Sequence, residues 1–392
     1  MIYLTKVVYL HHNPGVRMKL LYVTDVLAVH GGMERVLVDK ANWLSRQEGY
    51  QVCVITAHQG DHPLAFPLRP NVKYDDMKAR FHRQYRYSGL KRWLYNRKCH
   101  SQFRERLREK IKEISPDVII CIRIDYLRDI LKVKSSASVV FESHSSRLVC
   151  RFDGSGLFRK IRVWFQQQYV RKVQMVVTLT EGDADEWRKL TSRVCVIPNV
   201  VRLNESETYC DCQSKSVVFV GRLCRQKDVL SLLQIWAMVN EQHPDWTLHI
   251  YGEGELEKDV QEIINKKSNH VYLHKPSLAI GDIYKKYSIF VLTSVFEPFG
   301  LVLPEAMSCG LPVVAFDCPY GPADIITDGK DGFLIKGRNN KEFADRICSL
   351  IENDQLRVRL GQAAIQSSKR YDQGLIMPQW KKLFEQLTGL YL

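Results

Sequence analysis

Two acidic side chains, Glu297 and Glu305, bracket the stretch Glu297-Pro298-Phe299-Gly300-Leu301-Val302-Leu303-Pro304-Glu305. An ionised carboxylate accepts more than one hydrogen bond at once, which suits the adjacent hydroxyls of a sugar. The apolar run Ile289–Leu292 just upstream reads as a strand, and Leu303–Cys309 as a helix entered through Pro304 and stopped by Gly310. Glu297 then precedes the helix and Glu305 lies in its first turn, so both can face one pocket. Gly300 lets backbone N–H groups come close to a phosphate or sugar oxygen. Paired carboxylates beside a cleft also fit the acid and base of a glycoside hydrolase, and these residues alone leave that alternative open.

Two further clusters could hold an anion. Arg222 directly follows the apolar run Val217–Gly221, and Lys227 stands five residues on. A guanidinium can bind phosphate oxygens through two parallel hydrogen bonds, and an ammonium can reach the same group as a point charge. As an isolated basic pair they would equally suit a solvated face. The segment His30-Gly31-Gly32-Met33-Glu34-Arg35 leads into a helix expected over Glu34–Gln47. Its glycines would bare backbone N–H groups to an anion, with the helix dipole behind them, although a plain turn fits as well.

The elements that must position these residues alternate strand and helix. Short apolar runs at Lys19–Thr24, Gln51–Thr56, Val118–Ile122, Ser138–Phe141, Met175–Leu179 and Val194–Ile197 read as strands. Residues 202–216 are polar and without period, so they read as a connection. A second series follows, with strands at Val217–Gly221, Thr247–Tyr251, Val271–Leu273, Ile289–Leu292 and Val313–Phe316, and a helix at Val229–Asn240. Terminal helices cover about 340–352, 354–369 and 377–389. Continuously apolar strands alternating with helices indicate parallel, doubly wound α/β sheets covered on both faces. The expected organisation is a first domain over 18–201, a linker over 202–216, a second domain over 217–375, and a last helix over 376–392 that crosses back to the first domain. Ligands of such sheets bind outside the carboxyl ends of the strands, which is where all three clusters fall.

Composition narrows the classes. The chain has 392 residues, 45% hydrophobic and 26% charged, enough for two globular domains. No run of about 18 apolar residues occurs, so no transmembrane helix is expected. Residues 1–17 lack the pattern of a signal peptide and read as an upstream extension of a chain whose first strand starts near Met18. The 11 cysteines are scattered. Cys53, Cys121 and Cys195 lie in apolar runs, and Cys210 and Cys212 lack a second ligand pair at metal spacing. Reduced thiols, a cytoplasmic location and no metal site are the expectation.

GGMER at 31–35, GRLCRQK at 221–227 and EPFGLVLPEAMSCGLPVVAFDCPYGPADII at 297–326 together resemble glycosyltransferase family 4. The resemblance runs from about residue 18 to the C-terminus and is most specific in the last of these segments. It implies the GT-B fold, two Rossmann-like domains facing across a cleft. It also implies retaining transfer of a sugar from a nucleotide donor, with no metal or other cofactor, to an acceptor held mostly by the first domain. On the same resemblance, Glu305 would bind the donor ribose and Glu297 the donor sugar, while Arg222 and Lys227 would neutralise the diphosphate. Backbone groups of Phe299, Gly300, Leu301 and Val302 would line sugar and phosphates, with Gly31 and Gly32 closing from the other domain. Gly252, Gly254 and His274 would approach the base. His144, after the strand Ser138–Phe141, would face the donor sugar, though a local structural role also fits a lone histidine. The stretch Asp317–Ile326 is similar to members that build bacterial surface polysaccharides, which points to a UDP-hexose or UDP-N-acetylhexosamine. Pro298 departs from the glycine found in many members, which puts the sugar preference in doubt.

The formal charge of +14 favours polyanions. Residues 78–112 and 157–172 mix Lys and Arg with aromatics such as Phe81, Tyr85, Tyr87, Trp93, Tyr95 and Phe103. Such a surface suits an anionic bilayer or a lipid-linked acceptor, or simply solvent; nucleic acid is not expected here. A GT-B epimerase and an inactive, membrane-recruiting subunit remain as competing functions.

Overall fold

The computed structural model describes residues 18–145, 147, 157–204, 206, 208–266 and 269–390. The expectation for residues 1–17 lies outside the described residues. Strands β1 (Met18–Thr24), β2 (Tyr50–Thr56), β3 (Lys73–Asp76), β4 (Val118–Cys121), β5 (Ser138–Glu142), β6 (Met175–Thr178) and β7 (Val194–Val196) form one sheet in the order β3-β2-β1-β4-β5-β6-β7. Strands β8 (Ser216–Val220), β9 (Thr247–Tyr251), β10 (Val271–His274), β11 (Ile289–Leu292), β12 (Val313–Phe316) and β13 (Gly332–Ile335) form a second in the order β10-β9-β8-β11-β12-β13. Every pairing is parallel. Both orders reverse direction beside their first strand, so each sheet has a topological switch point, between β1 and β4 and between β8 and β11. The two-domain, doubly wound α/β expectation is therefore met.

Helices α1 (Gly32–Leu44), α2 (Gly89–Ile114), α3 (Ile124–Val133), α4 (Leu157–Val170) and α5 (Glu181–Arg188) belong to the first sheet. Helices α6 (Val229–Gln242), α7 (Glu257–Lys266), α8 (Ile280–Tyr284), α9 (Val302–Ser308), α10 (Gly321–Ile325), α11 (Asn340–Glu352) and α12 (Asp354–Ser368) follow on the second. The last helix, α13 (Gln373–Thr388), buries Ile376, Met377, Trp380, Leu383 and Phe384 against Met18, Leu20 and Tyr22 of β1. It thus ties the chain's end to the first sheet.

Several elements differ from the sequence reading, three of them for a plain local reason. β3 reads Lys-Tyr-Asp-Asp and sits at a sheet edge, so it carries no apolar run. α2 buries only Cys99, Phe103, Leu107 and Ile111, a stripe one residue wide that leaves its first ten residues without a buried side chain. α1 begins at Gly32 rather than Glu34, because Gly31 in extended conformation serves as its N-cap.

Candidate active site

The carboxyl ends of the two sheets face each other across a narrow cleft. Arg35 of α1 pairs with Glu305 of α9. The Glu181 backbone N–H donates to Asp324 Oδ2 at 2.7 Å. A Cβ on Gly32 would stand 2.7 Å from Leu301 Cδ1, and one on Gly182 would stand 2.6 Å from the Tyr320 ring. Both glycines therefore permit an approach at which a side chain would force the facing residue to adjust.

On the C-terminal wall the loop after β8 carries Arg222 and Lys227, and the loop after β11 carries Glu297. Lys227 Nζ bonds to Glu297 Oε1, which also accepts from Ser294 Oγ at 2.6 Å. The Glu297 backbone is fixed as well: its N–H donates to Pro319 O at 2.7 Å, and its carbonyl accepts from Tyr320 and Gly321 N–H at 2.8 and 2.9 Å. A Cβ on Gly321 would lie 1.8 Å from Phe299 O, so only glycine allows these two segments to touch. Arg338 closes the wall from behind. It bonds Asp228 and donates to Ser294 O at 2.8 Å, with its guanidinium 4.6 Å over the Phe316 ring. Arg222, by contrast, is exposed and makes no hydrogen bond or ion pair with a described residue.

The backbone between the two carboxylates is shaped for a close ligand. Phe299 turns its ring into the core, edge-on to Tyr371 at 5.2 Å, which leaves its peptide at the wall. Gly300 has φ +92°, a conformation glycine adopts at little cost. Leu301 reaches across to Gly32, and Val302 opens α9, in which Glu305 is buried. Burial pushes the Glu305 carboxyl up and Arg35 pulls it back.

Gly252 and Gly254 act at one remove. Cβ atoms there would stand 2.0 Å from Gly221 O and 2.4 Å from Leu223 O, and Leu223 N–H donates to Glu253 O at 2.9 Å. Their bareness sets the position of the loop that bears Arg222. His274 stacks on Tyr251 at 4.4 Å and on His249 at 5.1 Å. Burial lowers both histidines, His249 to about 4, so this stack is uncharged at neutral pH.

On the N-terminal wall the first turn of α1 has no side-chain cap. Glu34 curls back over it, placing Oε2 within 2.3 Å of where a Gly31 Cβ would be. Burial raises the Glu34 carboxyl, while His144, Arg222 and Arg123 pull it down, so these four groups share one space across the cleft. His144 Nε2 lies 2.8 Å from Glu142 Oε1, and Glu142 pairs with the fully buried Lys40. Burial alone would raise Glu142, but Lys40 and His144 outweigh it and hold the carboxyl at about 2. His144 is thus oriented by a buried ion pair beneath it. Lys40, Glu142, Ser294, Asp228 and Arg338 were not singled out by sequence. Asp228 sits next to Lys227 and Ser294 three before Glu297, so proximity to the motifs is the signal that could have found them.

The residues so assembled can hold an anion between Arg222, Lys227 and the bare turn of α1, with hydroxyls reading Glu297 and Glu305. Known proteins resemble this chain in both of its halves. Residues 30–205 match the family model described as Glycosyltransferase Family 4, and residues 210–367 match Glycosyl transferases group 1. The chain is 27% identical over 380 residues to the amylovoran biosynthesis glycosyltransferase AmsD of Erwinia amylovora, covering 93% of this chain and 99% of that one. It is 27% identical over 357 residues to an uncharacterized glycosyltransferase of Haemophilus influenzae, covering 90% and 95%. In fold it resembles TarM, with a TM-score of 0.77, 17% identity, and coverage of 95% of this chain and 100% of that one. With its two halves matched in order by these two glycosyltransferase models, the chain is a family 4-like glycosyltransferase of GT-B fold.

Proposed function

We propose that the enzyme moves a hexosyl or N-acetylhexosaminyl unit, with retention, from a UDP-sugar to a lipid-linked or other saccharide acceptor during synthesis of a surface polysaccharide. AmsD is named for amylovoran biosynthesis, and solved structures of the same fold hold UDP in TarM of S. aureus and UDP-glucose in HepE of Anabaena. The observation that carries the reading is Arg222, an unpartnered guanidinium beside the fixed Lys227–Glu297–Ser294 group and opposite the uncapped turn of α1.

The chemistry follows from charge. The bond between the sugar's anomeric carbon and the diphosphate breaks, and negative charge grows on the leaving oxygen. Arg222, Lys227 and the α1 N–H groups stabilise that charge where it develops. The acceptor hydroxyl attacks from the same face and its proton passes to the departing phosphate oxygen. Glu297 fixes the sugar and Glu305 the ribose. Donor binding requires Arg35 to yield part of its hold on Glu305.

A thermal-shift panel of UDP-, GDP- and ADP-sugars tests the donor, because a ligand that binds only the folded state raises the melting temperature. UDP-sugars should give the largest shift; a preference for GDP-sugars overturns the assignment. UDP release that accelerates on adding acceptor separates transfer from epimerisation and from an inactive subunit. The exposed aromatics Tyr85, Trp93, Trp164 and Phe165 lie among basic residues in the sequence, and they support a peripheral seat on the anionic cytoplasmic face of the membrane.

A further inference from the structure

The carboxyl edge of the first sheet carries a second polar cluster, next to the donor wall but not part of it. Asp25 follows β1 and accepts from Tyr126 Oη at 2.5 Å. His58 follows β2, with Nδ1 buried and 3.1 Å from Asp25 Oδ1, out of line for a hydrogen bond. Arg123 follows β4 and lies close enough to feel both Asp25 and Glu34. A continuous polar track therefore runs from Arg222 and Glu34 through Arg123 and Asp25 to His58.

The track ends on a cationic turn. Residues Phe81–Arg86 form a 3-10 turn pinned to the edge by Phe81, which is buried among His58, His100, Phe103 and Tyr126 at 4.8–6.5 Å between ring centres. The pin brings His82 to 6.0 Å from His58 and sets Arg80, Arg83 and Arg86 around it. Among the described residues none of these arginines has a side-chain hydrogen bond or ion pair, and the Arg83 Nε is buried without a partner. Arginines on the neighbouring helix are engaged: Arg104 holds Asp129 at 2.9 Å, and Arg106 holds the Met77 carbonyl. Lys78 and Arg80 have φ +48° and +45°, a left-handed conformation uncommon for such side chains. Local strain of that kind gathers at binding sites. Burial, followed by His58 and the surrounding arginines, lowers the His82 pKa.

We propose that this turn is the seat of a phosphate carried by the acceptor. Arg80, Arg83, Arg86 and His82 take the phosphate oxygens, and Asp25, His58 and Tyr126 meet hydroxyls between that phosphate and the transferred sugar. The proposal rests on the donor reading above and gives the acceptor its chemical class. The phosphate belongs either to a lipid diphosphate or to a polyol-phosphate chain; Arg forks and a single histidine suit both.

Calorimetric titration of the full-length protein, with UDP held saturating to block the donor site, tests it. The probes are geranyl diphosphate and a glycerol-phosphate trimer, with geraniol and glycerol as uncharged counterparts. At least one phosphorylated probe should bind, and which of them does identifies the source. Its Kd should rise roughly tenfold or more in Arg83→Gln/Arg86→Gln, as expected for lost hydrogen bonds to a charged group, with the Kd for UDP unchanged. Arg80→Gln/Arg86→Gln, which alters only exposed side chains, should weaken the probe as well and covers the case that Arg83→Gln misfolds. If UDP binds but neither probe does, or if both double variants bind the probe as tightly as the parent, the proposal is overturned. If UDP itself fails to bind, the donor reading falls, and the same probes and variants on the free protein decide the phosphate seat.

Discussion

The two walls of the cleft are built on the same strand order but in opposite electrostatic styles. On the C-terminal wall the charged groups largely hold one another: Lys227 with Glu297, Arg338 with Asp228. Glycines at 252, 300 and 321 lock the loops so closely that a Cβ would collide or strain. On the N-terminal edge, Arg80, Arg83 and Arg86 stand without carboxylate partners among the described residues, and aromatics such as Tyr85 and Trp93 face solvent. The lesson is about ligands. A wall that is finished before its ligand arrives suits a small molecule of fixed shape. An edge left with unspent positive charge suits a larger anionic partner that completes it.

The sharpest way to break this comparison lies under the N-terminal edge, where Lys40 and Glu142 form a buried pair that resembles the C-terminal style. Lys40→Met strands Glu142 in the core and should lower unfolding free energy by about 3–5 kcal/mol in urea titrations. The pair also sets an acid limit. Because the Glu142 carboxyl is depressed to about 2 from 4.5, its contribution is present above about pH 4.5 and is lost as pH falls through 2. Glu142→Gln should flatten that part of the stability profile. If Lys40→Met unfolds no more easily than the parent, the N-terminal wall has no buried anchor.

Arg222 tests the other side. It is the exception on a paired wall, so Arg222→Ala should leave the melting temperature within a degree or so, since surface changes away from buried features are nearly neutral. Turnover, followed as UDP release, should nevertheless fall roughly 10²–10³-fold, the loss expected for one preorganised charge partner. Near-normal turnover would mean that the wall's free cation does not touch the leaving group. Gly300→Ala asks how finished the wall is. At φ +92° a Cβ should cost about 1–2 kcal/mol of stability, read as a lowered melting temperature, and weaken donor binding.

The same contrast explains what was legible in sequence. Eleven of the thirteen strands announce themselves as apolar runs, because strands covered on both faces have no polar alternation to hide in. The C-terminal wall of the candidate site was legible because it is made of short, contiguous segments: glycines that tolerate contact and charged residues at fixed offsets from a strand end. The N-terminal edge was not. Asp25, His58, Arg123 and Tyr126 come from three strand ends and a helix, separated by up to 101 positions, and only the sheet order makes them neighbours. The basic stretch 78–112 was visible as composition, but composition cannot say that Phe81 is buried while Tyr85 is exposed. Lys40 and Glu142, likewise, are ordinary surface types until folding places them 102 positions apart in one core contact.

The smallest effect expected concerns the membrane, and it separates two uses of the N-terminal edge. Trp93 is 54% exposed and Trp164 is 56% exposed, on α2 and α4, which both flank α3. Neither touches the cluster around Arg83 in any described contact. If the edge meets a bilayer, Trp93→Ala/Trp164→Ala should reduce sedimentation with anionic vesicles severalfold while leaving binding of a soluble phosphorylated probe unchanged. Rising salt should weaken the parent's attachment, because basic side chains near an anionic surface act only within a Debye length. Vesicle binding that survives both the substitutions and high salt would place the contact elsewhere on the molecule, whereas no binding at any salt would leave the cationic turn to a soluble acceptor alone.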